Sequence, residues 1–187
     1  MRIIAGSARG RRIETLHGYE TRPTADRVKE SVFSILQSRL AGAHVLDLFA
    51  GSGALGLEAL SRGAAHAVFA DNSLDCVRLI RKNADKLGFA ARCTVIHGGF
   101  ERALGRLQAE SKRFDIAFLD PPYRMGILPK ALELLFTKKL MLQGAVVACE
   151  HDTDTVLEDN VRMGYIVCDR RRYGSTGYTF IMAQNGD

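Results

Sequence analysis

The stretch from Val45 to Leu60, VLDLFAGSGALGLEAL, decides how this chain is expected to fold. It begins as an apolar run, continues as a helical pattern, and carries Gly51, Gly53 and Gly56 at the junction. The spacing G-x-G-x-x-G between a strand and a helix is typical of a loop whose backbone closely approaches a nucleotide-like ligand. Asp71 follows Gly51 by 20 residues, at the end of the next apolar run, where an acid can accept hydrogen bonds from ribose hydroxyls.

Apolar runs and helical patterns alternate from this stretch onward. The expected helices lie at 54–62, 74–87, 101–109 and 128–140. The expected strands are HVLDLF (44–49), HAVFAD (66–71), CTVIHG (93–98), FDIAFLD (114–120), AVVACEH (145–151), GYIVCDRRR (164–172) and YTFIMAQ (178–184). Near-continuous apolar strands favour a parallel sheet covered on both faces, and the turn at 174–177 favours a final antiparallel pair. The sequence predicts a doubly wound, seven-stranded α/β fold that is mostly parallel and ends in an antiparallel hairpin.

Residues 1–40 precede the first strand. The segment RIIAGSARGRRIETL (2–16) predicts a short β-hairpin, and RPTADRVKESVFSILQSRL (22–40) predicts a helix that Thr24 can cap. We expect this hairpin and helix to be an extension of the same domain, with the sheet formed by residues 41–187.

Composition restricts the class of protein. The 187 residues suit one domain, and 47% apolar and 25% charged residues are ordinary for a globular protein. No apolar run approaches the roughly 18–20 residues that span a bilayer, and the N-terminus lacks a signal-peptide pattern. The four cysteines form no C-x-x-C pair and the five histidines do not cluster. We therefore expect a cytoplasmic protein without disulfides or a metal site.

Positive charge is concentrated at the N-terminus. The chain has a net charge of +5. Residues 1–40 hold eight Lys and Arg against four Asp and Glu, a surplus of four positive charges. Residues 1–12 contain no acid and four arginines, Arg2, Arg9, Arg11 and Arg12. Composition alone leaves two interpretations open, a solvated basic terminus and an arm that contacts nucleic-acid phosphates.

Asp47, four residues before Gly51, separates two kinds of ligand. A carboxylate beside the glycine loop would repel the pyrophosphate of NAD, whereas S-adenosylmethionine has no phosphate and carries an ammonium that an acid can bind. The alternative is that Asp47 only caps the loop by accepting backbone N–H groups. A nicotinamide-dependent oxidoreductase therefore remains a competing hypothesis at this point. After the third strand, backbone groups at Gly99 and Phe100 could hold an adenine, although Phe100 also fits an ordinary core position.

The segment DPPY, residues 120–123, follows the fourth predicted strand at the same carboxyl edge. Amino groups on nucleobases are poor nucleophiles, so an enzyme must hold their hydrogens and align the nitrogen lone pair. Asp120 and the Pro121 carbonyl offer two acceptors, Pro122 stiffens the corner, and Tyr123 can stack on a flipped base. A turn without chemistry is the alternative.

Five segments together resemble the RsmD family, enzymes that methylate the N2 amino group of a guanine in bacterial 16S ribosomal RNA with S-adenosylmethionine. The segments are RIIAGSARGRRI, RPTADRVKESVFSIL, DLFAGSGALGLEALSRGA, FLDPPY and RRYGSTGYTF. The resemblance covers nearly the whole chain. It implies a Rossmann-like methyltransferase fold, S-adenosylhomocysteine as product, and a monomer that acts on 16S rRNA within a small-subunit ribonucleoprotein.

The resemblance also assigns residues. It implies a catalytic corner formed by Asp120, Pro121, Pro122 and Tyr123. The cofactor residues it implies are Asp47, Phe49, Gly51, Ser52, Gly53, Asp71, Asn72, Gly99, Phe100, Arg22 and Thr24. The RNA-binding residues are Arg2, Arg9, Arg11, Arg12, Arg27, Lys29, Arg171 and Arg172. Two positions depart from the family pattern, because Asp71 replaces a frequent glutamate and Gly99 stands where an acid often holds adenine. The alternative is amino-methylation of DNA adenine or cytosine, of another RNA base, or of a protein glutamine, and a non-catalytic RNA-binding module is the hypothesis from another class.

Overall fold

The computed structural model describes residues 1–16, 23–122 and 126–184, and within them helices flank one seven-stranded sheet. The strands are β1 (His44–Asp47), β2 (His66–Asp71), β3 (Cys93–His97), β4 (Phe114–Leu119), β5 (Met141–Asp152), β6 (Tyr165–Tyr173) and β7 (Thr176–Ala183). The helices are α1 (Pro23–Leu36), α2 (Ala54–Ser61), α3 (Leu74–Leu87), α4 (Phe100–Ala109) and α5 (Ile127–Thr137). No helix of the described residues is long and apolar enough to cross a membrane.

The strand order is β3-β2-β1-β4-β5-β7-β6. Neighbours from β3 to β5 run parallel, whereas β7 pairs antiparallel with both β5 and β6. The chain builds outward from β1 to β3 and then returns to place β4 on the other side of β1. Ligands of doubly wound folds bind where the order reverses, so the carboxyl ends of β1 and β4 define the expected crevice.

Buried side chains form two layers, one on each face of the sheet. The arm-side layer contains Ile3, Phe33, Leu57 and Ile80, from the N-terminal residues and helices α1, α2 and α3. The far-side layer is built from helices α4 and α5. Strand residues alternate between the layers, as the pleat of a strand requires.

Residues 1–16, called the arm below, form a small hairpin. Arg2 and Arg12 make an antiparallel bridge, and the Ile3 N–H donates to the Arg11 carbonyl at 2.9 Å. Ile3 and Ile13 are 0% and 3% exposed, so both side chains belong to the arm-side layer. The arm is thus packed into the core as well as exposed at its arginines.

Two predicted helix ends were too late in the chain. The α1 helix ends at Leu36 and continues as a 3₁₀ turn, Gln37–Arg39. The α5 helix ends at Thr137, because the chain turns at Lys139 with a φ of 53° and then enters β5 at Met141, four residues earlier than predicted. Apolar residues lie on both sides of the short polar segment 137–139, so hydrophobicity alone does not show where the helix ends and the strand begins.

Candidate active site

The glycine loop lies between β1 and α2. Gly51 and Gly53 have φ of 53° and 78°, in the left-handed region that glycine adopts without strain. A Cβ on Gly56 would lie 2.3 Å from Cε1 of Phe69, so this glycine lets α2 pack directly on β2. The loop therefore needs its glycines for conformation at two positions and for close packing at the third.

Asp71, at the end of β2, fastens this loop. One carboxylate oxygen accepts from the Gly51 N–H at 2.8 Å, and the other accepts from the Ser73 N–H at 2.8 Å. Each carboxylate oxygen retains further acceptor capacity, so the same side chain can still accept from ribose hydroxyls. The sequence indicated only the ribose role and not the bond to the loop.

Asp47 is 2% exposed, and its Oδ2 accepts from the Gly56 N–H at 2.9 Å. The capping interpretation is therefore correct for one oxygen. Burial raises the pKa of Asp47 to about 7, with a smaller contribution from the charge of Asp71, against the opposing effect of the Gly56 bond. No positive charge from residues 1–16, 23–122 and 126–184 offsets this effect, and the ammonium of a ligand would provide one.

An aromatic pair lies beyond the ends of β1 and β3. The ring centroids of Phe49 and Phe100 are 5.6 Å apart at an interplanar angle of 49°, and both rings are partly buried against the far-side layer. Gly99 precedes α4 as its N-cap residue without a side-chain cap, and Asn72 is exposed after β2. These residues follow β1, β2 and β3 at the sheet edge that carries the glycine loop, where the sequence analysis placed adenine and ribose.

The Asp-Pro-Pro corner follows β4. In the register, Asp47 pairs with Phe118 on β4, and Leu119 pairs with Cys149 on β5. Phe118 belongs to the arm-side layer and Leu119 to the far-side layer, so the alternation points Asp120 to the same side as Asp47. The structure thus brings the predicted catalytic acid and the predicted cofactor acid to neighbouring strand ends.

Asp120 keeps an exposed surface at this edge. The protein atoms that surround its carboxyl group nevertheless raise its pKa well above the usual range, with further contributions from the carboxylates of Glu150 and Asp47. Pro121 is buried and Pro122 is exposed. Tyr123 and Arg22 lie outside the described residues, and so does the side chain of Thr24.

Glu150 is a site residue that the sequence analysis missed. It follows Cys149 on β5, beside Asp120, and it lies directly opposite Tyr178 on β7, whose hydroxyl donates to Glu150 Oε2. The available signal was an acid at the end of an apolar strand run, the same signal that identified Asp47 and Asp120.

Lys29 corrects one of the predicted RNA contacts. It is 5% exposed, its Nζ lies 3.2 Å from a carboxylate oxygen of Glu58, and it donates to the Arg2 carbonyl at 2.6 Å. Burial lowers the pKa of Lys29, and the charge of Glu58 opposes this effect. Its ammonium is thus committed to fixing the arm on the helices, so it is withdrawn as a phosphate ligand.

The other predicted RNA-binding arginines are exposed, and several have protein partners. Arg11 donates to the Leu87 carbonyl at 3.1 Å and to that of Lys86, so it caps the end of α3. Arg2 pairs with Asp26 at 3.1 Å, and Arg171 with Asp169 at 2.8 Å. Arg172 donates to the Gly174 carbonyl at 3.3 Å. Arg9, Arg12 and Arg27 are exposed as well and remain predicted RNA contacts.

A model of the family described as "Conserved hypothetical protein 95" matches residues 1–182. This chain belongs to that family. The Bacillus subtilis (strain 168) protein YlbH is 38% identical over 178 residues, which cover 95% of this chain and 96% of YlbH. Ribosomal RNA small subunit methyltransferase D of Escherichia coli (strain K12) is 36% identical over 157 residues, covering 84% of this chain and 77% of the relative.

A solved structure extends the comparison to the fold. The Escherichia coli protein yhhF superposes with a TM-score of 0.85 and 30% identity, covering 100% of this chain and 99% of that chain. The resemblance to the RsmD family and the Rossmann-like methyltransferase fold are both confirmed. Among residues 1–16, 23–122 and 126–184, no group of three or more His, Cys, Asp or Glu side chains is arranged to hold a metal ion.

Proposed function

We propose that this chain transfers the methyl group of S-adenosylmethionine to the exocyclic N2 amino group of a guanine in 16S ribosomal RNA, leaving S-adenosylhomocysteine. One observation carries the proposal. Asp47 with its glycine loop and Asp120 with its two prolines end neighbouring strands, β1 and β4, where the strand order reverses. The name of the Escherichia coli relative supports ribosomal RNA as the substrate.

The residues at the loop edge fit S-adenosylmethionine. Asp47 is a buried acid whose pKa is not lowered by any cation among the described residues, and the donor that suits it is an ammonium. Gly51, Ser52 and Gly53 lead into the positive N-terminus of α2, which favours a carboxylate. Asp71 would accept from the ribose hydroxyls, and Phe49 and Phe100 would pack on adenine, with Asn72 and Gly99 beside them. We include Arg22 and Thr24 in this proposal as cofactor-binding residues.

The chemistry of the corner is positioning and charge stabilisation. S-adenosylmethionine, when bound, supplies a methyl group on a positively charged sulfur. The Asp120 carboxylate and the Pro121 carbonyl accept the amino hydrogens and direct the nitrogen lone pair, while Tyr123 holds the base by stacking. Asp120 stabilises the positive charge that develops on nitrogen, and the proton that nitrogen then loses passes to solvent. Asp120 must be ionised for this role.

The basic surface supports a large anionic partner. Arg9 and Arg12 lie on the arm, Arg27 on α1, and Arg171 and Arg172 near the end of β6. Because β6 runs parallel to β5, its carboxyl end faces the same edge as the Asp-Pro-Pro corner. Positive side chains on β6 thus flank the site, and the arm adds positive charge where it packs against α2 and α3, an arrangement that suits binding of RNA phosphates.

Tritiated S-adenosylmethionine tests the proposal directly. The protein is incubated separately with 16S rRNA, small ribosomal subunits from cells lacking this protein, duplex DNA and total protein. We expect label in rRNA or subunits, recovered as N2-methylguanosine by nuclease digestion and mass spectrometry. Label confined to DNA or protein, or to another base, contradicts the proposal.

Replacing Asp120 tests the mechanism. Asp120→Ala removes the carboxylate acceptor but none of the residues assigned to the cofactor, so methyl transfer should fall by at least roughly 100-fold. Its S-adenosylhomocysteine affinity, measured by isothermal titration calorimetry, should stay within about threefold of wild type. Near-normal transfer by this variant would show that the corner does not hold the amino group.

A further inference from the structure

Asn83, on the inner side of α3, is 0% exposed. Its Oδ1 accepts from the Glu14 N–H at 2.9 Å, and its Nδ2 donates to the Glu14 carbonyl at 3.0 Å and to the Ser52 carbonyl at 3.0 Å. The two amide hydrogens and the oxygen are therefore all engaged. Its helix neighbours facing the same side, Ile80 and Leu87, are apolar core residues.

This arrangement requires an amide. Two carbonyls need donors and one N–H needs an acceptor at the same buried point, and only asparagine or glutamine provides both. Aspartate would keep the acceptor and lose the donors, and alanine would leave all three backbone groups unpaired. Each unpaired buried group costs about 1–3 kcal/mol, so a polar residue at an apolar helix position is strongly tied to these partners.

The partners of Asn83 belong to two different parts of the molecule. Ser52 lies between the two positive-φ glycines of the loop proposed to hold the cofactor. Glu14 lies near the end of the arm, two residues after Arg12, which bridges to Arg2. One buried amide therefore joins the end of the proposed RNA-binding arm to the proposed cofactor loop.

We propose that Asn83 is a positioning residue that couples RNA binding by the arm to cofactor binding by the Ser52 loop. The inference rests on the proposed function, since it takes RNA as the ligand of the arm. RNA bound to the docked arm further restrains the Asn83 amide against the Ser52 carbonyl, so the loop is more ordered when the cofactor arrives. RNA then strengthens cofactor binding, and the cofactor strengthens RNA binding by the same factor.

The test measures the dissociation constant of S-adenosylhomocysteine by calorimetry, with and without a saturating transcript of small-subunit rRNA. The product is used because it cannot methylate the RNA during the titration. For wild type we expect RNA to tighten binding by a factor in the range of about 5 to 150 that is typical of coupled sites. In Asn83→Ala this factor should fall to within about twofold of one.

Lys82→Ala is the matched control. Lys82 is the adjacent helix residue, and its Nζ pairs with the Glu14 carboxylate at 2.7 Å, while the Glu14 backbone bonds to Asn83 remain. It should keep the wild-type factor. Asn83→Asp, an isosteric change that removes both donors, is the second variant if Asn83→Ala does not fold, and it should also lose the factor.

Several outcomes overturn the proposal. It fails if Asn83→Ala binds both ligands more weakly but keeps the wild-type factor, because Asn83 is then only structural. It also fails if wild type binds the transcript with a factor of one. If neither variant folds, hydrogen exchange on wild type decides, since the transcript alone should slow exchange in residues 50–56 and unchanged exchange overturns the idea. A wild-type protein that does not bind the transcript at all instead contradicts the proposed function.

Discussion

Three carboxylates end neighbouring strands on one side of the sheet. Asp47 ends β1, Asp120 follows β4 and Glu150 lies near the end of β5. Burial raises the pKa of Asp47 and of Asp120, and the charges of Glu150 and Asp47 add to the effect at Asp120. Such an arrangement is unfavourable in the free protein and becomes favourable when positive charge arrives. The ammonium and sulfonium of the proposed cofactor, and the nitrogen that becomes positive during transfer, have the required sign.

Asp47→Asn should make the protein more stable near neutral pH and should remove one source of the pH dependence of its stability. The pKa of Asp47 is about 7 in the folded protein, above its ordinary value of 3.8, so the folded state holds this proton more tightly than the unfolded state. Wild-type stability from this group is therefore complete at low pH and decreases as pH rises from about 4 to 7. The variant lacks this decrease. Each pKa unit corresponds to about 1.4 kcal/mol, so the variant should gain on the order of 2–4 kcal/mol relative to wild type between pH 5 and 8.

Urea unfolding of both proteins across pH 5–8.5 measures this gain. The same variant should bind S-adenosylhomocysteine roughly 10- to 100-fold more weakly at pH 8, because a bond between ammonium and carboxylate is replaced by one to a neutral amide. Parallel stability curves for the two proteins would show that Asp47 is not the buried, proton-binding group described here.

At the scale of elements, the arm is joined to α2 by polar contacts. The Glu58 carboxylate is 0% exposed and accepts from the Ile4 and Ala5 N–H groups at 2.8 and 3.0 Å. It also pairs with Lys29 and with Arg62, whose Nε lies 2.8 Å away. A buried acid with two cations and two backbone donors is well compensated, so it fixes where the arm lies.

Gly6→Ala should detach the arm, and Gly10→Ala should not. Both glycines have positive φ, 83° and 80°, so alanine adds similar backbone strain of about 1 kcal/mol at each. A Cβ at Gly6 would lie 1.8 Å from the Ser61 carbonyl oxygen, whereas at Gly10 no atom lies within 4 Å. The clash is with backbone and cannot be relieved by a side-chain rotation.

We expect Gly6→Ala to lower stability by about 2–3 kcal/mol more than Gly10→Ala, or the melting temperature by roughly 5–10 °C more. Differential scanning calorimetry of the two variants measures this difference. Equal losses in the two variants would mean that the arm does not pack against the end of α2.

The sequence predicted local features well and long-range ones poorly. The α3 helix and the β2 strand begin and end where predicted, because capping residues and apolar periodicity are local signals. The placement of Asp47 and Asp120 at one edge could be predicted because the carboxyl ends of parallel strands lie at the same edge of a sheet. Lys29 was assigned wrongly, and Asn83 went unnoticed, because their partners lie 27 to 69 residues away along the chain. Such contacts depend on how the arm folds back, which no periodicity reveals.

At the scale of the whole molecule, charge is the property that bears on RNA. Lys29, Arg2 and Arg11 have partners within the protein. Fewer basic side chains are therefore available to phosphate than the sequence analysis predicted. The arm cannot be removed to test its role, since Ile3 and Ile13 are buried in the core. Substitution of exposed arginines is the change that alters charge and preserves packing.

Arg9→Ala with Arg12→Ala should therefore reduce the salt dependence of RNA binding. Each phosphate contact contributes about 0.7 to the slope of log affinity against log salt for single strands and about 0.9 for a duplex, so losing two contacts should lower the slope by roughly 1.4–1.8. Filter binding of a small-subunit rRNA transcript at about 50 to 300 mM salt, a range over which screening of charges increases strongly, measures this slope.

The control pair is Lys112→Ala with Arg113→Ala. It changes the net charge equally at the amino end of β4, at the edge of the sheet opposite the Asp-Pro-Pro corner, where both side chains are exposed. S-adenosylhomocysteine affinity without RNA should be unchanged in both double variants. If the control lowers the slope as much as the arm pair, RNA responds to net charge and not to the arm. If only the arm pair does so, the arginines of the arm contact RNA phosphates.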